Sequence, residues 1–206
     1  MQIIHHRINS LEQLNNIPHA DGAEIDIRYH DNDLILHHDP FHHHEDKSVS
    51  LECFLQNWDH EATLILNLKS EGIEKKCIEL MSFYKIQNWF FLDMSMPFFV
   101  KYSFLSVDKN FTDFDYHNLA VRFSDHEPME YALSFQGKVK WVWVDSFKDF
   151  PLSMSKYKML KDREFKICLV SPELQGFHEN KIKDMKSRIV NMSIDAVCTK
   201  HPLLWK

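Results

Sequence analysis

The sequence predicts an α/β fold, a compact (β/α)8 TIM-type barrel with a small hairpin inserted after the second strand. Three observations carry that expectation. Eight short runs rich in β-branched and aromatic residues recur along the chain, each followed by a segment of helical spacing, as in a parallel sheet with crossover helices. Eight such units is the number that closes a barrel, and 206 residues reaches the lower edge of its size range. The open doubly wound alternative carries a glycine-rich phosphate loop after a strand, and no strand here is followed by one.

Taken in order, residues 2–5 form a short apolar strand ending in His5-His6-Arg7. Ser10 then caps a helix with Leu11, Leu14 and Ile17 on one stripe, closed by Pro18. The second strand covers 23–28. Its period of two puts Glu24 and Asp26 on one face and Ala23, Ile25 and Ile27 on the other. A turn, Asp31-Asn32-Asp33, and the apolar run Leu34-Ile35-Leu36 make the hairpin, which returns His37-His38-Asp39 toward the carboxylates. Ser50 caps a short helix over 51–58. The third strand covers 63–68, and 72–84 has the helical spacing Ile73, Cys77, Leu80, Met81, Tyr84. The remaining strands fall at 89–93, 118–123, 139–144, 165–170 and 195–198, with helices at 97–107, 127–135, 153–161 and 180–190. On the sixth strand, Trp143 is expected to line the pocket and Trp141 to pack against helices.

Composition narrows the class of protein. Hydrophobic residues make up 44% of the chain, with 16 phenylalanines, which suits one core and a single domain over 1–206. There are 30 acids against 24 bases, and the bases are dispersed, which argues against nucleic acid as a partner. Cys53, Cys77, Cys168 and Cys198 stand far apart with no C-x-x-C pair, as packed, reduced thiols of a cytoplasmic protein do. Met1 runs straight into a strand without the basic start and apolar core of a signal peptide. No apolar run approaches the roughly 20 residues of a transmembrane segment. The triplet His42-His43-His44 reads as a solvated loop, since three adjacent side chains cannot all face one ion without strain. No feature specifies an oligomeric state.

In a barrel of this kind, chemistry gathers where strands end. The strand ends here supply His6 and Arg7, Glu24 and Asp26, His38 from the hairpin, and Asn67 and Lys69, two apart on one face of the third strand. Further round come Asp93-Met94-Ser95, Arg122-Phe123-Ser124, Asp145-Ser146 and Ser171-Pro172-Glu173. Two acids facing one way beside buried apolar residues repel each other, and a hard divalent cation with oxygen ligands relieves that. Cations beside such a metal (Arg7, Lys69, Arg122) suit an anionic substrate, most simply a phosphate.

The motifs HHR at 5–7, E-x-D at 24–26 and HHD at 37–39 resemble, in order and spacing, those of the glycerophosphodiester phosphodiesterases, within the phosphatidylinositol-phospholipase-C-like barrel superfamily. L-N-L-K at 66–69 falls where that family has E-x-K on its third strand. The resemblance rests on residues 1 to about 70. It implies a distorted eight-stranded barrel, a divalent metal, Mg2+ or Ca2+, at Glu24, Asp26 and Asn67, and His6 and His38 as acid and base. Arg7 and Lys69 then contact phosphate, and Arg122, Asp145 and Glu173 join the substrate side by strand-end position. One departure stands out: the family's third carboxylate is Asn67 here, which lowers the ligand charge from minus three to minus two and should weaken divalent binding. The expected activity is metal-dependent hydrolysis of a small glycerophosphodiester-like or headgroup-like phosphodiester. Water and a substrate hydroxyl both remain open as nucleophile. A lyase forming a cyclic phosphate and a barrel that only binds phosphorylated ligands are the alternatives.

Overall fold

A computed structural model describes residues 1–40, 48–108 and 113–206, and its nine strands form one sheet. The triplet His42-His43-His44 lies outside the described residues. Eight strands pair in parallel: β1 (Gln2–His5), β2 (Gly22–His30), β4 (Leu64–Leu68), β5 (Trp89–Leu92), β6 (Ala120–Phe123), β7 (Trp141–Val144), β8 (Lys166–Val170) and β9 (Ala196–Thr199). Their order is β5-β4-β2-β1-β9-β8-β7-β6, and the two end strands meet at a parallel bridge between Phe91 and Leu119. The result is a nearly closed TIM-type barrel. The ninth strand, β3 (Asp33–Leu36), pairs antiparallel with β2 as the expected hairpin. Its two-residue turn, Asp31-Asn32, has positive φ at both positions, the primed geometry that matches strand twist and that Asp and Asn tolerate.

The helices follow the strands as the spacing predicts, with shorter ends. They are α1 (Leu11–Asn15), α2 (Leu51–Gln56), α3 (Glu74–Phe83), α4 (Met96–Leu105), α5 (Met129–Leu133), α6 (Met154–Lys161) and α7 (Lys181–Arg188). Ser10, Ser50 and Ser153 each accept a backbone N–H of the first turn, fixing where α1, α2 and α6 begin. After β9 comes only the 3-10 turn Pro202–Leu204.

Period two sorts the strand residues into two cores. Ile25, Ile27, Leu64, Leu66, Phe91, Val142 and Val197 lie in the core cluster shared with the helices, whereas Ile4, Ile65, Phe90, Leu92, Cys168 and Cys198 fill the barrel. The barrel is therefore a packed core and not a pore. Trp141 and Trp143 both belong to the inner cluster, and the Trp141 ring lies 4.9 Å from Phe90. The expectation that Trp141 faces the helices fails for a simple reason: residues two apart on a strand share a face. At the start of β2, Gly22 comes so close to β4 that an added Cβ would lie 2.3 Å from the Thr63 carbonyl oxygen. Cys77, Cys168 and Cys198 are buried free thiols whose burial raises their pKa, and Cys53 is free as well. Among the described residues, no helix is long and apolar enough to cross a membrane.

Candidate active site

Glu24 and Asp26 sit on the inner face of β2 at 1% and 0% exposure, and Asp26 is the register partner of Asn67 on β4. Two carboxylates this deep require compensation. Glu24 Oε2 accepts the backbone N–H of Arg7 at 2.8 Å, and Oε1 accepts from Asn67 Nδ2 at 2.8 Å. Arg7 reaches that position with φ at +56, a left-handed conformation unusual for a side chain of its size. Even so, burial and the neighbouring Asp26 charge push the Glu24 carboxyl up to about 7. Asp26 Oδ2 accepts from Asn9 Nδ2 at 2.8 Å, and Asn9 Oδ1 in turn accepts the Asp26 backbone N–H at 2.9 Å. Lys69 Nζ stands 3.5 Å from Asp26 Oδ1, and Arg7 Nε 4.0 Å from Asp26 Oδ2.

The two histidines border this pair differently. His6 places Nε2 3.8 Å from Glu24 Oε2 and keeps a buried Nδ1 without a hydrogen-bond partner. Burial first, then the charges of Arg7 and Lys200, holds its pKa down at about 3, so the ring is neutral. The hairpin register brings His38 to the Arg7 guanidinium, whose NH2 contacts His38 Nε2, while the neighbouring His37 turns its Nδ1 to the Asp39 carbonyl at 2.7 Å. A guanidinium only donates, so His38 Nε2 accepts, and its Nδ1–H is left to donate to Asp39 Oδ1 at 2.7 Å. That bond holds the exposed Asp39 carboxyl below its ordinary pKa.

Two residues at the site were missed in the sequence. Asn9 clamps Asp26 from both sides, and nothing local in the sequence marks it. Arg28 donates from Nε and NH2 to the His38 carbonyl at 3.1 and 2.7 Å, and from NH1 to the Lys69 carbonyl at 3.1 Å. It follows Glu24 and Asp26 at the same spacing of two, which was a readable signal.

Around the rim, opposite charges alternate. Lys69 lies between Asp26 and Asp93, and Asp93 passes the contact to Arg122 at 2.6 Å. Arg122 also binds Glu127 at 2.7 Å and Asp145 at 3.0 Å, and these three carboxylates raise its pKa further. Asp145 is 2% exposed, and burial raises its pKa although Arg122, Gln175 and the Ser146 N–H all donate to it. Glu173 has a different set of partners. It accepts from Ser171 Oγ, from Thr199 Oγ1 at 2.6 Å and from the Lys200 backbone N–H at 3.0 Å, fastening the loop after β8 to the end of β9. A separate polar depression of about 370 Å3, lined by Asn88, Asp115 and Lys166, opens near the N-terminal ends of β5 and β7, away from these groups.

The inner donors suit a hard divalent cation. Asp26 Oδ1, which has only the Lys69 ammonium at 3.5 Å, and Asn67 Oδ1 are buried without a hydrogen-bond partner, on register-paired residues beside Glu24. Oxygen donors left unsatisfied side by side are what such an ion would take up.

Comparison with known proteins bears on the fold. The chain superposes on a glycerophosphodiester phosphodiesterase from Agrobacterium tumefaciens with a TM-score of 0.69 at 12% identity, over 100% of this chain and 99% of the other. A glycerophosphoryl diester phosphodiesterase from Parabacteroides distasonis gives a TM-score of 0.66 at 12% identity, covering 98% and 84%. No protein-family model matches the chain, and no curated protein does. The chain therefore shares its barrel fold with these solved phosphodiesterases.

Proposed function

We propose that the protein is a metal-dependent phosphoric diester hydrolase of the glycerophosphodiester phosphodiesterase kind, acting on a glycerophosphodiester-like or headgroup-like substrate. The observation that carries the reading is the meeting of HHR, E-x-D and HHD in space, with His6 and His38 flanking the buried Glu24/Asp26 pair and Arg7 linking the two halves. The shared barrel supports it.

Glu24, Asp26 and Asn67 would hold a divalent cation such as Mg2+ or Ca2+. When bound, it supplies Lewis-acid polarisation of the phosphoryl oxygens. Arg7 and Lys69 are the cations placed to bind the phosphate, with Arg122, Asp145 and Glu173 shaping the outer rim. An incoming phosphate draws Arg7 away from His38 Nε2 and offsets the nearby positive charges that add to burial in holding His6 neutral. His6 then takes the proton from the nucleophile. Released from Arg7, His38 Nε2 takes up a proton from solvent and passes it to the departing alkoxide, with Nδ1–H held by Asp39.

The test is hydrolysis of a panel of glycerophosphodiesters with and without magnesium, manganese and calcium, followed by phosphorus NMR. Cleavage that EDTA abolishes is expected. Undiminished turnover after full chelation overturns the metal assignment, and a cyclic phosphate product replaces hydrolysis with the lyase reading. A ligand-binding barrel without turnover is favoured by one observation, the neutral Asn67 in the third ligand position, and would show phosphodiester binding with no cleavage at any metal concentration.

A further inference from the structure

We infer that His19, Asp59 and His60 form a second metal site, of the nitrogen-rich type selected by zinc and related transition metals. It lies at the N-terminal ends of β2 and β4, in the loops that precede these strands, away from the strand ends that carry His6, His38 and Lys69. It is independent of the proposed phosphodiesterase activity.

Two of the three donor–donor distances are close to the edges of a tetrahedral site. His19 Nδ1 lies 3.2 Å from Asp59 Oδ1, and His60 Nε2 lies 3.6 Å from the same oxygen. All three donor atoms lie within 4.8 Å of one another. For bonds of about 2.0–2.1 Å, the edges of a tetrahedral site are about 3.3–3.4 Å, so small side-chain adjustments bring the three to one ion. Water completes the fourth corner, since His19 and Asp59 are largely exposed.

His60 supplies the observation that separates a built site from a surface charge pair. Its side chain is 3% exposed, stacked between Trp58 at 4.5 Å and His19 at 4.9 Å. Its Nδ1 lies 3.1 Å from the Asp21 carbonyl oxygen, which can only accept. The proton therefore resides on Nδ1, and Nε2 presents its lone pair on the side facing Asp59. A histidine oriented by a backbone carbonyl through its second nitrogen is the arrangement that metal-ligating histidines adopt. Two imidazoles and one carboxylate favour zinc-class metals, whereas the all-oxygen set Glu24, Asp26 and Asn67 favours magnesium or calcium, so the two sites sort metals by donor type. A metal here would tie the loop before β2 to the loop before β4. At this end of a barrel the expected consequence is stability.

Cobalt(II) provides the readout, because four-coordinate cobalt absorbs visible light far more strongly than six-coordinate cobalt in an oxygen site. The full chain, stripped by chelation, is titrated with Co2+ and then Zn2+ in saturating Mg2+. A strong band that one equivalent of Zn2+ displaces is expected, together with a zinc-dependent rise in unfolding temperature. His19→Ala and Asp59→Ala, at exposed positions outside the Trp58–His60 stack, should each lose the band and at least about tenfold in zinc affinity. Glu24→Gln should keep both. A band unchanged in His19→Ala and Asp59→Ala, or no strong band in the wild-type chain, overturns the assignment.

Discussion

Asn67 Nδ2 donates to Glu24 Oε1 at 2.8 Å, while Oδ1 of the same amide is buried with no hydrogen-bond partner. One half of this side chain therefore secures a neighbouring ligand, and the other half offers an oxygen to an ion. Asn67→Asp removes the donor and places a third carboxylate beside two. In the metal-free protein the lost hydrogen bond alone should cost about 1–3 kcal/mol, with charge repulsion adding to it. With a dication present the sign reverses. At an effective dielectric near 20, a unit-charge pair about 4 Å apart is worth roughly 4 kcal/mol before repulsion is subtracted. A net gain of about 1–3 kcal/mol, or roughly 5–150-fold in affinity, is expected. Calorimetric titration of Mg2+ or Ca2+ and thermal melts of both proteins check it. Binding no tighter than wild type means that Asn67 Oδ1 does not meet the ion.

His6 and Glu24 make opposite contributions to stability in the metal-free protein. Glu24 is raised from 4.5 to about 7, so between those values the folded chain keeps a proton that the unfolded chain has lost, and stability falls as pH rises. His6 is lowered from 6.5 to about 3, so the unfolded chain holds a proton that the folded one refuses, and stability rises with pH until about 6.5. Each slope is at most about 1.4 kcal/mol per pH unit. Between pH 4.5 and 6.5 they oppose each other, and these two contributions should nearly cancel. Glu24→Gln should become less stable as pH drops below 6.5, and His6→Gln less stable as pH climbs from 4.5 to 7. Urea melts across this range in EDTA decide it. Parallel pH profiles for the two variants would contradict the burial argument.

Turnover should show His6 and His38 acting together, with Asp39 supporting His38. His38→Ala and His6→Ala are each expected to lose at least about a hundredfold in kcat, and the double variant little more, since acid and base act as a unit. Asp39→Asn keeps the side-chain shape and removes the negative charge that accepts the His38 Nδ1–H. A fall in kcat of about tenfold with KM little changed is expected. A wild-type kcat in Asp39→Asn would remove Asp39 from the mechanism. Loss of turnover in His37→Ala with His38→Ala active would place the other histidine at the site.

Much of this was legible because strands keep a period of two. Glu24 and Asp26 had to share a face, and the hairpin residues Asp31 and Asn32 had to turn the chain back. The same rule went unapplied at Arg28 and at Trp141, both of which lie on faces already assigned to their neighbours. Asn9 is a different case. Its partner Asp26 stands seventeen positions on, and only the pairing of β1 with β2 brings them together. Strand limits were overdrawn where side chains compete with the sheet. Asn118 begins the predicted fifth strand, yet it closes a 3-10 turn, where its side chain binds the Asp115 N–H and the Trp89 carbonyl. Rim charges such as Arg122 were identified as strand-end residues, but two of the three carboxylate partners of Arg122, Asp93 and Asp145, come from other units of the barrel and leave no local trace.

Arg28 offers the sharpest test of how the site is held. Its guanidinium spans the carbonyls of His38 and Lys69, one from the hairpin and one from the end of β4, so it sets the spacing between the proposed acid and a proposed phosphate cation. It touches neither reacting group and is a positioning residue. Arg28→Ala frees both carbonyls and lets the hairpin drift, and displacement of a catalytic group by about 1 Å can cost on the order of a hundredfold in rate. The loss should fall mainly on kcat, because Arg7, Lys69 and the carboxylates stay in place to bind substrate and metal. Arg28→Lys has one ammonium where the wild type has a planar fork, so it can hold one carbonyl well but not both, and it should recover only part of the loss. The measurements are kcat and KM for the three proteins, with Mg2+ affinity by calorimetry as the control. Equal kcat in Arg28→Ala and wild type would show that β2–β3 pairing alone positions His38. A fall in metal affinity matching the fall in rate would instead mean that Arg28 supports the Glu24/Asp26 pair.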